Sequence, residues 1–196
     1  MPSNVDPAIP VAGTPTTASV RGNFAAVKTE IEALQDAYDA IVACFATRAV
    51  IVADYPDGTQ LGGGPVMTWN TRPLNTIVDN GGFLVSLAAD QFVLPAGSYR
   101  LKAEFMCFGQ GHTRLRLYDF TAAAVLDQSI NTQIVSGGGD TVSFRLESDI
   151  VLGVETTLAY QQITASNHAT YSWGVPLSID AGPERFARVT IQKLPS

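Results

Sequence analysis

The sequence predicts a mainly β protein in which an extended N-terminal segment and a coiled-coil helix precede an antiparallel jelly-roll sandwich. Three observations predict it. Between Val20 and Phe45 the apolar residues recur at spacings of 4, 3, 4, 3, 4, 3 and 4, the heptad period of helices that associate along a narrow seam. Beyond Ala46 the period falls to two, in short runs separated by Gly, Pro, Asp and Asn, which is the pattern of strands joined by turns. Finally, only 15% of residues are charged while 46% are apolar, with 17 glycines and 11 prolines. An average soluble domain carries about 25% charge, so this composition fits a β-rich chain with extensive interfaces.

Residues 1–18 form the first segment. Pro2, Pro7, Pro10 and Pro15 recur too densely for a helix or a strand ladder, so the segment is expected to be extended and to order only against a partner surface. Residues 19–46 form the second. Phe24, Ile31, Tyr38 and Phe45 take one core position of the heptad and Val20, Val27, Leu34 and Ile41 the other. Thr16, Thr17 or Ser19 supplies an N-cap oxygen, and the rod from Val20 to Phe45 is roughly 38 Å long. The flanking positions are mostly polar (Arg21, Lys28, Gln35, Asn23, Glu30) until the stripe broadens at Ala37, Val42 and Cys44. A helix lying on a domain shows a wider stripe, so self-association is favoured over a monomeric surface helix. The bulk of Phe24, Tyr38 and Phe45 leans toward three strands.

Residues 47–196 form the head. Strand-like runs cover 48–55, 66–70, 74–79, 83–88, 91–94, 98–108, 113–120, 125–130, 141–152, 157–164 and 186–194. Alternation is clearest where Tyr99, Leu101, Ala103, Phe105 and Cys107 face one way and Ser98, Arg100, Lys102 and Glu104 the other, giving one core face and one wet face. A hairpin through Gly109-Gln110-Gly111 is expected to continue this, with Leu115 and Leu117 inside and Arg114 and Arg116 outside near Glu104. The number and spacing of the strands are those of a sandwich or jelly roll.

Several function classes are disfavoured. A net charge of −6 opposes a general electrostatic grip on nucleic acid or an anionic membrane. The longest apolar run, Ala40 to Ala46, falls far short of a membrane span of about 20 residues. The first residues lack the basic and apolar regions of a secretory signal, so secretion by the usual route is not expected. Cys44 and Cys107 are too few for a disulfide framework or a cysteine metal site, and both are expected to be buried thiols. His112 and His168 have no second ligand at metal spacing, and the glycine triplets at 62–64 and 137–139 read as flexible turns. Glu147 and Asp149 sit on one strand face and are expected to be solvated rather than a hydrolytic acid pair. Asp79-Asn80-Gly81-Gly82 offers oxygens but no full calcium set. No catalytic residue, metal or cofactor is therefore expected. The long loop between Ile163 and Arg185 carries His168, Tyr171 and Trp173 among small polar residues, a composition suited to surface or sugar recognition; the alternative is that Trp173 closes one end of the sandwich.

The stretch from Asn4 through Pro7, Pro10, Gly13-Thr-Pro-Thr-Thr and Arg21-Gly-Asn-Phe24 to Leu34 resembles the N-terminal module of tailed-bacteriophage fibre and spike proteins. The runs Phe92-Val-Leu-Pro-Ala-Gly-Ser-Tyr-Arg-Leu101 and Phe186-Ala-Arg-Val-Thr-Ile-Gln-Lys-Leu194 are similar in pattern to the trimeric jelly rolls of the tumour necrosis factor and complement-head type. These resemblances imply a homotrimeric virion protein, with residues 1–18 anchoring it to capsid or tail proteins through Pro7, Ile9, Pro10 and Val11. The helix would then be a three-stranded stalk, and the head would face a host surface glycan. Neither nucleic-acid binding nor membrane insertion is implied. Two rival readings stand beside this one: a secreted lectin-like or signalling trimer of the same class, and a capsule-degrading glycosidase.

Overall fold

The computed structural model describes residues 17–109, 111–134, 141–166, 172–176 and 182–195, and only the backbone at 19, 40, 43–46 and 132–134. Pro7, Ile9, Pro10, Val11, His168 and Tyr171, and the side chains of Cys44 and Phe45, lie outside the described residues. Contacts divide the chain into two compact units, Met1–Ala46 and Thr47–Ser196.

In the first unit α1 (Thr17–Ala46) is one uninterrupted helix of 30 residues. It begins two residues before the boundary expected from the sequence, since Thr17 and Ala18 carry nothing that opposes helical backbone once Pro15 is passed. Its polar faces hold i,i+4 contacts, Lys28 with Glu32 at 3.7 Å and a hydrogen bond from Gln35 Nε2 to Asp39 Oδ1 of 2.9 Å. Among the described residues of this unit the apolar seam is unpartnered: Phe24, Ile31, Leu34, Tyr38 and Ile41 are 57–71% exposed. No helix among the described residues is long and apolar enough to cross a membrane.

The second unit holds strands β1 (Arg48–Tyr55), β2 (Asn70–Thr71), β3 (Thr76–Asn80), β4 (Ser86–Ala88), β5 (Gln91–Leu94), β6 (Gly97–Phe108), β7 (Gly111–Asp119), β8 (Ala124–Gln128), β9 (Thr132–Ile134), β10 (Thr141–Leu152), β11 (Thr156–Thr164) and β12 (Glu184–Lys193). They make two antiparallel sheets. One runs β10-β6-β12-β1-β3; the other runs β4-β5-β11-β7-β8, with β2 joined to β11 and β9 to β7. The alternation along β6 is realised, since Tyr99, Leu101, Ala103, Phe105 and Cys107 are all buried. The first four share one core with inward residues of the second sheet, Leu115 and Leu117 of β7 and Leu158 and Tyr160 of β11, while Cys107 packs with Phe144. The Tyr160 ring lies at the centre, 5.3 Å from that of Phe105 and 6.2 Å from that of Phe92.

Two expectations about the chain path need correction. The expected run 66–70 contributes only Asn70 to a strand, the two-residue β2, and β9 was not anticipated. More consequentially, Gly109-Gln110-Gly111 does not make a hairpin: β6 and β7 belong to different sheets. Gly109 and Gly111 adopt φ of 58° and 60°, a left-handed conformation that glycine takes without strain. The chain there crosses from one sheet to the other, so Arg114 and Arg116 lie away from Glu104.

Deleting the Phe105 ring should cost about 3–5 kcal/mol through lost burial and the cavity left behind. Tyr160 is fully buried, its hydroxyl has no partner among the described residues, and burial holds its pKa far above the ordinary tyrosine value. Tyr160→Phe is therefore expected to leave stability unchanged or raise it by up to about 1 kcal/mol, because it removes an unsatisfied polar group without changing ring packing. Urea denaturation of both variants checks the contrast.

Candidate functional site

Glu104, Glu147 and Asp149 are taken up in cross-strand ion pairs on the outer face of the first sheet. Antiparallel register sets Asp149 opposite Arg100, Glu147 opposite Lys102 and Arg145 opposite Glu104. The resulting distances are 2.8, 3.0 and 3.1 Å. Arg100 grips both oxygens of Asp149, and its hydrogen bonds hold the Asp149 carboxyl below the usual aspartate value. At the other end Arg185 pairs with Asp54 at 2.7 Å. Glu147 and Asp149 thus each face a cation on the neighbouring strand rather than each other across a cleft. The oxygens of Asp79 and Asn80 accept the amides of Gly81 and Gly82 and are occupied in shaping a turn. Among the described residues no three His, Cys, Asp or Glu side chains are grouped to hold a metal.

A second cluster is buried. Arg72, between β2 and β3, is 1% exposed and has no carboxylate partner among the described residues. Its Nη1 donates to Gln162 Oε1 at 2.8 Å, and its Nη2 donates to the carbonyls of Met106 at 2.8 Å and Trp173 at 3.3 Å. The guanidinium lies over the rings of Phe105 and Trp173, 5.1 and 5.2 Å from their centroids. Burial pulls its pKa down to about 10, against the opposing influence of Cys107 and Tyr55. Gln162 Nε2 donates in turn to Cys107 Sγ and Thr113 Oγ1. Burial pushes the Cys107 thiol above its ordinary value despite nearby Arg72, so this sulfur is not set up as a nucleophile. The cluster ties five chain segments together: the stretch before β3, β6, β7, β11 and the Trp173 turn. Trp173 is half-buried within it: its amide donates to Leu61 O and its carbonyl accepts from Arg72. Next to it, Gly174 takes φ of 152°, and a Cβ there would overlap the Phe186 ring.

The outer face of the second sheet is different in kind. With Thr113, Leu115 and Leu117 turned inward, β7 presents His112, Arg114, Arg116 and Tyr118 outward. Arg116 is held between the Trp69 ring, 4.1 Å from its centroid, and the Tyr118 ring at 4.6 Å. It also donates two hydrogen bonds to Gln161 Oε1, of 2.9 and 2.6 Å. Arg114 Nε donates to Asn131 Oδ1. Beside this row opens a cleft of about 410 Å³ whose walls include Met67, Trp69, His112, Arg114, Asn131 and Ile163. Sequence reasoning passed over Met67 and Trp69 because they fell within an expected strand. The available signal was the run Pro65-Val-Met-Thr-Trp69, whose proline and adjacent apolar Val66 and Met67 interrupt strand alternation.

No family model matches the chain, and no curated protein matches it. Among solved structures it is similar to Eiger TNF from S. frugiperda, with 11% identity over 76% of this chain and 92% of that one and a TM-score of 0.50. It is also matched by the globular domain of the zebrafish complement 1qA protein, with 10% identity over 76% of this chain and 98% of that one and a TM-score of 0.45. At such identity the likeness to Eiger TNF is one of fold: the second unit is a jelly-roll sandwich.

Arg72→Met is expected to destabilise the head by about 2–4 kcal/mol, because it leaves buried acceptors without a donor. Trp173→Ala should cost about 1–3 kcal/mol through lost packing on the guanidinium. Equilibrium unfolding measures both. Cys107 should resist alkylation at about pH 8 until denaturant is added, as peptide mapping would record. Because the Asp149 pKa is depressed in the folded state, its pairing contributes stability above the ordinary carboxylate range, and that contribution is lost as pH falls through the depressed value. Asp149→Asn should accordingly lose less thermal stability than the parent on acidification from about pH 5 to pH 2.

Proposed function

We propose that this chain is a non-catalytic homotrimeric attachment protein of a bacteriophage virion: residues 1–18 anchor it to capsid or tail, the helix forms a three-stranded stalk, and the jelly-roll head binds a surface. The observation that carries the reading is the exposed seam of α1. Phe24, Ile31, Leu34, Tyr38 and Ile41 lie along one stripe at heptad spacing and are more than half exposed in the single chain. Burying such side chains stabilises by about 1.5–3 kcal/mol each, and a stripe this narrow matches another copy of itself better than a broad domain surface. A closed three-fold assembly uses one symmetry axis for every copy. The N-terminal resemblance to phage fibre proteins supports the virion assignment. The ion pairing of Glu147 and Asp149 supports a binding role over hydrolysis.

The likeness of the head to Eiger TNF favours a second reading, a signalling or lectin-like trimer of the same fold. Mass spectrometry of purified virions separates the two, because only the first requires the chain to be a particle component.

Light scattering of the full chain is expected to give the mass of a trimer, and a monomer would refute the stalk. Ile31→Asp with Leu34→Asp places six charges in one seam and should dissociate it, since each unpaired buried charge is strongly unfavourable. A chain starting at Ala18 should remain trimeric and equally heat-stable but fail to decorate particles lacking the protein. Full decoration by that truncation would move the anchor elsewhere.

A further inference from the structure

We propose that the cleft walled by Met67, Trp69, His112, Arg114 and Asn131 on the outer face of the second sheet binds a carboxylated sugar residue of a surface glycan. The inference rests on the recognition role proposed for the head and names its ligand class.

Charge is the first argument. The chain carries a net charge of −6, and on the first sheet Arg100, Lys102, Arg145 and Arg185 each pair with a carboxylate. Arg114 and Arg116 have no carboxylate partner among the described residues; neutral side chains, Asn131 and Gln161, hold them instead. Arg114 meets Asn131 through Nε, so among the described residues the two terminal nitrogens of its guanidinium remain for a planar anion, and a carboxylate matches that fork in a bidentate pair.

Shape and surface are the second. At about 410 Å³ the cleft lies at the small end of ligand sites, which run from about 300 to 1,000 Å³, and suits one or two sugar rings. Its apolar wall comes from Trp69, Met67 and Ile163, surfaces on which the C–H face of a pyranose packs. Trp69 is pre-positioned: Arg116 stacks on its ring and is itself fixed by Gln161 and Tyr118, so little ordering of the indole accompanies binding. Met67 is 71% exposed at φ of 55°, an uncommon conformation for a residue with a long side chain. Its amide donates to Thr164 O at 2.8 Å, which pins the rim of the cleft to β11. Asn131 and His112, both exposed on the cleft wall, supply hydrogen-bonding groups for hydroxyls.

The same observations disfavour a polyanion. Two arginines on a chain of net charge −6 provide no extended positive track for successive phosphates, whereas one guanidinium beside an aromatic wall suits a single carboxylate.

The test is isothermal titration calorimetry of the full-length protein with three oligosaccharides ending in glucuronate, galacturonate or sialate, and with their carboxyl-reduced counterparts. Saturable binding of at least one acidic probe, weakened tenfold or more on carboxyl reduction, is expected. Arg114→Gln and Trp69→Ala should each weaken it by tenfold or more, Arg114→Lys by less than Arg114→Gln, and all three should retain the parent's light-scattering mass and melting temperature within a few degrees. No binding of any acidic probe, equal binding of the neutral counterparts, or undiminished binding by Arg114→Gln would each overturn the proposal. A trimer that decorates its particle yet binds none of these probes would overturn the sugar site alone. A monomer that binds them through Arg114 would overturn the stalk and leave the site standing.

Discussion

The inward alternation of β6 is the constraint on which the head depends. Its inner residues, from Tyr99 to Cys107, are buried against the second sheet, while its backbone pairs with β10 along its whole length and with β12 from Tyr99 to Phe105. A slip of one residue would turn all five inward side chains to water and bring the charged set into the core. The register that buries Phe105 against Tyr160 is therefore the same register that places Arg100, Lys102 and Glu104 opposite their partners on β10. Core packing and the outer ion-pair ladder are two consequences of one alignment.

The two outer faces put their cations to different uses. On the first sheet, directly opposed residues of opposite sign neutralise one another, a device that contributes modestly to stability at exposed positions and makes wrong pairings unfavourable. On the second, Arg116 lies between an indole and a phenol ring, and both it and Arg114 are held by amide side chains. A cation held this way keeps its charge available to an incoming anion. This difference, rather than any one residue, separates the ion-paired face from the face on which we propose recognition.

Buried Arg72 gives the sandwich a polar clasp at one end. It joins the segment before β3, the end of β6, the Trp173 turn and β11 through hydrogen bonds to Met106, Trp173 and Gln162. A guanidinium supplies several donors in a rigid plane, so one side chain satisfies carbonyls from separate loops. Trp173 lies on that guanidinium, which couples the long loop after β11 to the core and limits how much of the indole faces solvent.

Sequence by itself determined the periods: the heptad stripe of the helix, the two-residue alternation of the strands, and the inward placement of Tyr99 to Cys107, Leu115 and Leu117. These are local properties, because side-chain direction follows from backbone geometry within a few residues. Only the tertiary structure decided which sheet each strand joins. Alternation along β6 and β7 reads the same whether Gly109 and Gly111 close a hairpin or carry the chain across the sandwich, and that choice moved Arg114 and Arg116 from Glu104 to the company of Asn131, Gln161 and Trp69. The burial of Arg72 was equally hidden, since its partners lie 34 to 101 residues away and nothing beside it in the chain announces them. The candidate site was illegible for the same reason: Met67, Trp69, Arg114 and Asn131 come from separate stretches and become neighbours only where β2, β7 and β11 share one side of the molecule.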